Sequence, residues 1–109
     1  MFVLAVLVSC MGTPVCERHR DEAVAQVLAM TDTFTACDVA EDCQVVWIAG
    51  DCFDACSRVV GIGGVQATDA AIAAANRDVC STVPLCPTEV QPCVPPLTPL
   101  CVDHVCTEP

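Results

Sequence analysis

Eleven cysteines in 109 residues constrain this chain more than any other feature. At that density a short chain reads as a disulfide scaffold, the device by which small exported domains make up for a core too small to hold the fold alone. Apolar residues are 54% of the chain, yet they include only three Phe and one Trp, and there is no Tyr. Much of the rest is Ala and Cys, and at about 25 cal/mol per Å² such small side chains stabilise a core weakly. Cross-links that restrict the unfolded chain, contributing about 2–4 kcal/mol each, fill the gap. A chain of this length is one domain.

Eleven is also odd, so one cysteine must stand outside any full set of intrachain bridges. The N-terminus offers a candidate. Residues 2–8 are seven apolar residues without a charge. That reaches the short end of a signal-peptide core of about 7–15 residues and falls well below the roughly 20 that span a bilayer. The run ends in Leu7-Val8-Ser9-Cys10, which resembles a bacterial lipobox. The resemblance implies that residues 1–9 are a signal peptide, and that Cys10 is diacylated on sulfur and becomes the new N-terminus, a lipid anchor whose partner is the membrane. No Lys or Arg precedes Phe2, which points to a basic segment upstream of Met1. Setting Cys10 aside leaves Cys16, Cys37, Cys43, Cys52, Cys56, Cys80, Cys86, Cys93, Cys101 and Cys106, enough for five disulfides. Cleavage after Gly12 by an ordinary signal peptidase would discard Cys10 equally, so the parity supports export by either route. A plainly secreted product is the alternative.

Thr13-Pro14 reads as a helix start, Thr as N-cap and Pro at the first helical position. Cys16, Ala23, Val27, Met30, Phe34 and Cys37 then form one apolar seam, which predicts a helix running to residue 37. In such a helix Cys16 and Cys37 lie about 31 Å apart, beyond the reach of a disulfide, whose Cα atoms are within about 7 Å. Each should clip one helix end to the rest of the fold. Residues 44–48, QVVWI, form the clearest strand, with consecutive apolar residues that suggest cover on both faces. Residues 50–64 read as a loop. Thr68-Asp69 reads as the cap of a second, Ala-rich helix over 70–79, with Ile72, Ala75, Val79 and Cys80 on its inner side. From about residue 84 the chain is Pro-rich: six prolines within sixteen residues exclude helix and central strand. Residues 100–107 fit a terminal hairpin with Asp103-His104 at its tip, where Cys101 and Cys106 face each other closely enough to bridge. The expected fold is α+β, a small disulfide-rich domain with two helices packed on a short antiparallel sheet and spanning residues 10–109. Ten cysteines allow about 945 pairings, so connectivity stays open.

Chemistry is sparse. Four Arg and no Lys stand against fourteen acidic residues, a net charge of −10. Nucleic acid is therefore excluded as a partner, since its binding needs cations that displace phosphate counterions. There is no CxxC, and in an oxidising compartment Cys52-x3-Cys56 and Cys101-x4-Cys106 are bridges before they are zinc ligands. Asp38, Glu41 and Asp42, with Asp51 and Asp54, offer hard oxygens, but no calcium-loop motif orders them. Loop acids in solvent are the simpler reading, so no metal or cofactor is assigned. No G-x-S-x-G or H-E-x-x-H is present, and His19 and His104 read as surface side chains. No catalytic residue is assigned, and an enzyme is not expected.

The nine residues from Cys93 to Cys101 are the candidate binding element, with Pro95, Pro96 and Leu97 at its centre. If the two cysteines bridge, the loop is rigid and loses little freedom on docking. It resembles the Bowman–Birk inhibitor loop in length and in its Pro-Pro pair, which implies protease inhibition. It departs at the third position, where Pro95 stands. The mature region as a whole resembles the small cysteine-rich lipoproteins of GC-rich bacteria, through CDVAEDC, the apolar strand, GDCFDAC, an Ala-Asn helix and a terminal C-x4-C. That resemblance implies a non-catalytic interaction or structural module anchored at the bacterial outer membrane or cell surface, with a protein partner unspecified. A secreted inhibitor or toxin-like binder using the Cys93 to Cys101 loop is the alternative.

Overall fold

A computed structural model of the chain describes residues 13–82, 92–94 and 98–108. The expected signal segment 1–9, the expected lipidation site Cys10, Cys86 and the Pro95-Pro96-Leu97 centre of the candidate loop lie outside the described residues.

The chain is α+β: helix α1 (Thr13–Thr31), strands β1 (Gln44–Ala49) and β2 (Asp54–Val60), helix α2 (Gly64–Asp78), and strands β3 (Leu100–Val102) and β4 (Val105–Thr107). The strands form two antiparallel pairs, β1 with β2 and β3 with β4. The two helices pack on each other, and α2 lies against β1. Between them sits the main core: Ala23 and Val27 from α1, Val46 and Ile48 from β1, Phe53, Val60, and Ala71, Ala75 and Val79 from the α2 side.

Helix α1 starts where the Thr-Pro pair predicts, but it stops at Thr31 and does not reach Cys37. The segment Thr31-Asp32-Thr33 is poor helix former, since β-branching and short polar side chains both favour other backbone states. The last turn tightens, with Thr33 N–H donating to the Met30 carbonyl (3.2 Å) and Phe34 N–H to Thr31 (3.1 Å). The buried face runs Ala23, Val27, Thr31 at intervals of four, which turns Met30 outward.

Beyond the helix, residues 34–37 run extended and join the two sheets. Gly61 N–H donates to the Phe34 carbonyl (2.7 Å) and Ile62 N–H to Ala36 (3.3 Å). On the other side Ala36 bridges Val105, and Cys106 N–H donates to Thr35 (2.8 Å). Gly61 is required by this close approach, because a Cβ there would run into the Ala36 carbonyl oxygen.

Strand β1 is covered on one face only. Its exposure alternates, with Val46 and Ile48 buried and Trp47 53% exposed. The expected two-sided cover fails because the sheet has only two strands and both helices lie on one side of it. Strand β2 fills what reads as a loop. Its residues DACSRVV have little β-propensity before Val59, and the pairing supplies the order the propensity lacks. A bulge sits in it: Trp47 opposes Ser57 and Ala49 opposes Asp54, so β2 carries one residue more than β1. Cys56 takes the left-handed conformation (φ 62°) inside that bulge.

Helix α2 begins at Gly64, four residues before the expected Thr68 cap, with Gly63 as N-cap at φ 81°. Thr68 is instead fully buried inside the helix, its hydroxyl 3.0 Å from that of Thr31. This pairing satisfies both hydroxyls at the α1–α2 contact, where an unpaired one would cost about 1–3 kcal/mol.

Candidate functional site

Four disulfides fall among the described residues, and none is local. They join Cys37 to Cys101, Cys43 to Cys106, Cys52 to Cys80 and Cys56 to Cys93. Two sequence-based pairings are thereby corrected. Cys93 and Cys101 do not close a loop on each other; Cys93 is held by β2 and Cys101 by the segment after α1. Cys101 and Cys106 do stand opposite each other on β3 and β4 as the hairpin spacing predicts, yet each bonds across to a different segment. The reason is the extended 34–37 strand, which lays Cys37 against the hairpin and leaves Cys43 beside it at the start of β1. Cys16 and Cys37 do not pair with each other, because Cys37 bonds Cys101; the separation along one helix does not apply, since α1 ends at Thr31.

Cys16 is also disulfide-bonded. Nine cysteines among the described residues are therefore in disulfides. Disulfides at this density are compatible with an extracellular location. Among the described residues no helix is long and apolar enough to cross a membrane.

The β3–β4 hairpin is the tightest construction around the candidate loop. Its turn is Asp103-His104, as expected, with both residues at positive φ (52° and 64°), the geometry of a two-residue hairpin turn. His104 also clamps the hairpin down. Its carbonyl accepts from Cys37 N–H (3.1 Å), and its Nδ1 donates to the Cys37 carbonyl (3.2 Å) and lies 3.6 Å from the Asp38 carboxylate. Cys37, Cys43 and Cys106 are buried beneath it and, with Val59 and Cys101, form a second, sulfur-rich core. The opposite face of the hairpin carries Leu100, Val102 and Val105, all exposed apolar side chains. At the other side of the candidate loop, Val94 is 83% exposed next to the tethered Cys93.

The acidic residues do not converge as calcium ligands. Asp42 Oδ2 accepts the N–H groups of Asp38 (2.8 Å) and Val39 (3.2 Å), closing the turn over Ala40–Asp42. Those two donors hold its carboxyl below the usual value of 3.8. Asp54 Oδ1 accepts Cys56 N–H (3.0 Å) and supports the bulge. Among the described residues, ligand atoms converge in groups of three only where cysteines take part: Cys37, Cys43 and Cys106, and Asp54, Cys56 and Cys93. Glu41, Asp42, Gln44, Gly61, Ile62 and Gln66 line an open groove of about 550 Å³ beside the start of α2. His19 on α1 is half-buried, not a fully exposed surface side chain: its Nδ1 is shielded from solvent without a hydrogen-bond partner and lies 3.8 Å from the Glu22 carboxylate.

The residues that sequence reasoning missed are those of the bridging strand 34–37 and the bulge at Cys56. The Thr-Phe-Thr run after Asp32 was the available signal for the first, since alternating β-branched and aromatic residues favour extended backbone. Comparison with protein families, curated proteins and solved structures finds no match for this chain.

Proposed function

We propose that the chain is an exported, lipid-anchored protein of the bacterial cell envelope, acting as a non-catalytic interaction or structural module. One observation carries the reading: nine cysteines among the described residues are bonded, eight of them in long-range bridges, as in a domain built for an oxidising compartment. Lipidation at the LVSC motif takes Cys10 out of the odd count of eleven and leaves an even ten for pairing. The long-range bridges supply what a small core cannot, and the acidic surface keeps the domain off an anionic bilayer while the lipid holds it near one. No described cluster combines a nucleophile, a base and an oxyanion donor, and the reading assigns no reaction.

Non-reducing mass spectrometry of the full chain, produced in a bacterium that processes lipoproteins, tests this. The expected product begins at Cys10, carries acyl chains, contains a Cys16–Cys86 peptide and moves to the soluble fraction on Cys10→Ser. A soluble product beginning near Thr13, or a Cys10–Cys16 peptide, sinks the anchor.

A second reading has one observation in its favour. The candidate loop is tied at both ends to different parts of the fold, through Cys56–Cys93 and Cys37–Cys101, which limits its freedom even without a bridge of its own. A secreted binder or protease inhibitor would use Pro95, Pro96 and Leu97 on that frame. Slowed cleavage across a protease panel, lost on Leu97→Ala, is its expected signature; absence of inhibition by the oxidised protein removes it.

A further inference from the structure

Two disulfides of the hairpin core lie side by side and bring three of their four sulfurs together. The sulfurs of Cys37, Cys43 and Cys106 all lie within 4.8 Å of one another, and the fourth, from Cys101, is bonded to Cys37. The Cα atoms of the bonded pairs stand 6.0 and 5.7 Å apart. A tetrahedral zinc–thiolate centre has Zn–S of about 2.3 Å and therefore sulfurs about 3.8 Å apart. Once the bonds open, Cys37, Cys43 and Cys106 reach that spacing by movements of about 1–2 Å, and Cys101 joins them from its cross-strand place opposite Cys106.

Backbone hydrogen bonds pre-place these cysteines, and metal coordination can take over the closure that the disulfides supply. Cys101 and Cys106 are a cross-strand pair, Cys37 N–H donates to His104, Cys106 N–H donates to Thr35, and Ala36 bridges Val105. Three of the four cysteines are buried, which keeps water from competing as a ligand. Asp38, Glu41 and Asp42 fall between Cys37 and Cys43 in sequence and make the local field attractive to a divalent cation. The other two bridges among the described residues lack this convergence. Cys56 and Cys93 have only Asp54 beside them, and Cys52 with Cys80 belongs to no such group.

We propose that Cys37, Cys43, Cys101 and Cys106, when reduced, form a four-thiolate site for one thiophilic divalent cation of the zinc class. The chemistry balances with a phosphine as reductant. For each disulfide, one phosphine takes the oxygen of one water to become phosphine oxide, and two thiols form. Two disulfides give four thiols, and binding of Zn²⁺ releases four protons as the thiolates coordinate. In the oxidised protein the same sulfurs are spent in bonds, so the cluster is either a cross-link or a metal site. This does not depend on the lipid anchor.

The test uses the full chain reduced by a water-soluble phosphine, with Zn²⁺ added and Co²⁺ as the spectroscopic probe. Native mass spectrometry is expected to show one metal per chain, and Co²⁺ to give the visible bands of a tetrahedral thiolate centre. Mapping of iodoacetamide adducts with and without Zn²⁺ is expected to show loss of labelling at Cys37, Cys43, Cys101 and Cys106 and unchanged labelling at Cys52, Cys56, Cys80 and Cys93. Uniform protection, no protection, or protection of Cys56 and Cys93 instead overturns the proposal. The pair Cys43→Ser and Cys106→Ser should abolish zinc binding while Cys52→Ser with Cys80→Ser preserves it. If the first variant does not fold, the labelling pattern of the unaltered chain still decides.

Discussion

The helix-backed core and the hairpin core are two solutions to the same shortage of large side chains. The first buries Val27, Ile48, Phe53 and Val60 between two helices and a two-stranded sheet, with the Cys52–Cys80 bridge inside it. The second buries almost nothing but sulfur: Cys37, Cys43 and Cys106, with Val59 and Cys101 against them. Its strands are three residues long, and an isolated hairpin of that size is unstable in water. Burial holds the first region and covalent closure holds the second, so the two should respond to different perturbations.

The largest separation is expected from removing Cys43–Cys106. That bridge closes a span of 63 residues, for which the chain-entropy account gives about 4 kcal/mol. In Cys43→Ala with Cys106→Ala, amide hydrogen exchange should rise across residues 35–37 and 100–107 while α1 and α2 stay protected. Equal loss of protection in the helices would show that the two cores are one cooperative unit.

The converse perturbation is Ile48→Ala, which leaves a cavity in the helix-backed core and should cost about 3 kcal/mol. Denaturant unfolding under non-reducing conditions reads it, and the hairpin disulfides should stay intact by mapping. A smaller effect belongs to the buried hydroxyl pair. Thr68→Val leaves the Thr31 hydroxyl alone at the helix contact, at about 1–2 kcal/mol. Adding Thr31→Val should recover most of the loss, and a double-mutant cycle without coupling would remove the pair from the account.

The smallest effect is acid-dependent and confined to the hairpin side. The Asp42 carboxyl is lowered in the folded chain by the Asp38 and Val39 N–H groups. Its contribution is complete above the ordinary value of 3.8 and is lost as the pH falls through the depressed folded value. An NMR titration of Asp42 should show a midpoint below 3.8, and Asp42→Asn should loosen the turn over Ala40–Asp42 at neutral pH.

The helix-backed core was partly legible in advance. Thr13-Pro14 marks the start of α1, Gln44 to Ile48 reads as a strand, and the Ala-rich stretch after Thr68 reads as helix because its local preferences agree with its final state. The end of α1 and the whole of β2 were not. Cys16 to Cys37 keeps a helical apolar spacing past Thr31, and Asp54 to Arg58 has no strand preference of its own. In both places a partner segment supplied the order: Gly61 and β4 draw out residues 34–37, and β1 holds β2. The hairpin at Asp103-His104 was legible although neither residue is the glycine or asparagine that such turns favour, because the flanking alternation of Val and Cys carries the signal.

Residue counts and local spacing alone establish that the chain is cysteine-rich with an odd cysteine to be accounted for, that it is strongly acidic, and that residues 100–107 favour a hairpin. Those properties are additive or local, so they do not depend on which segments meet. Which cysteines pair, which face of β1 is covered and where α1 ends are decided in three dimensions. Cys101 stands beside Cys106 yet bonds to Cys37, 64 residues away, because the extended segment after α1 packs against the hairpin. Spacing along the chain cannot encode that choice, since it depends on the distance between sulfurs after folding.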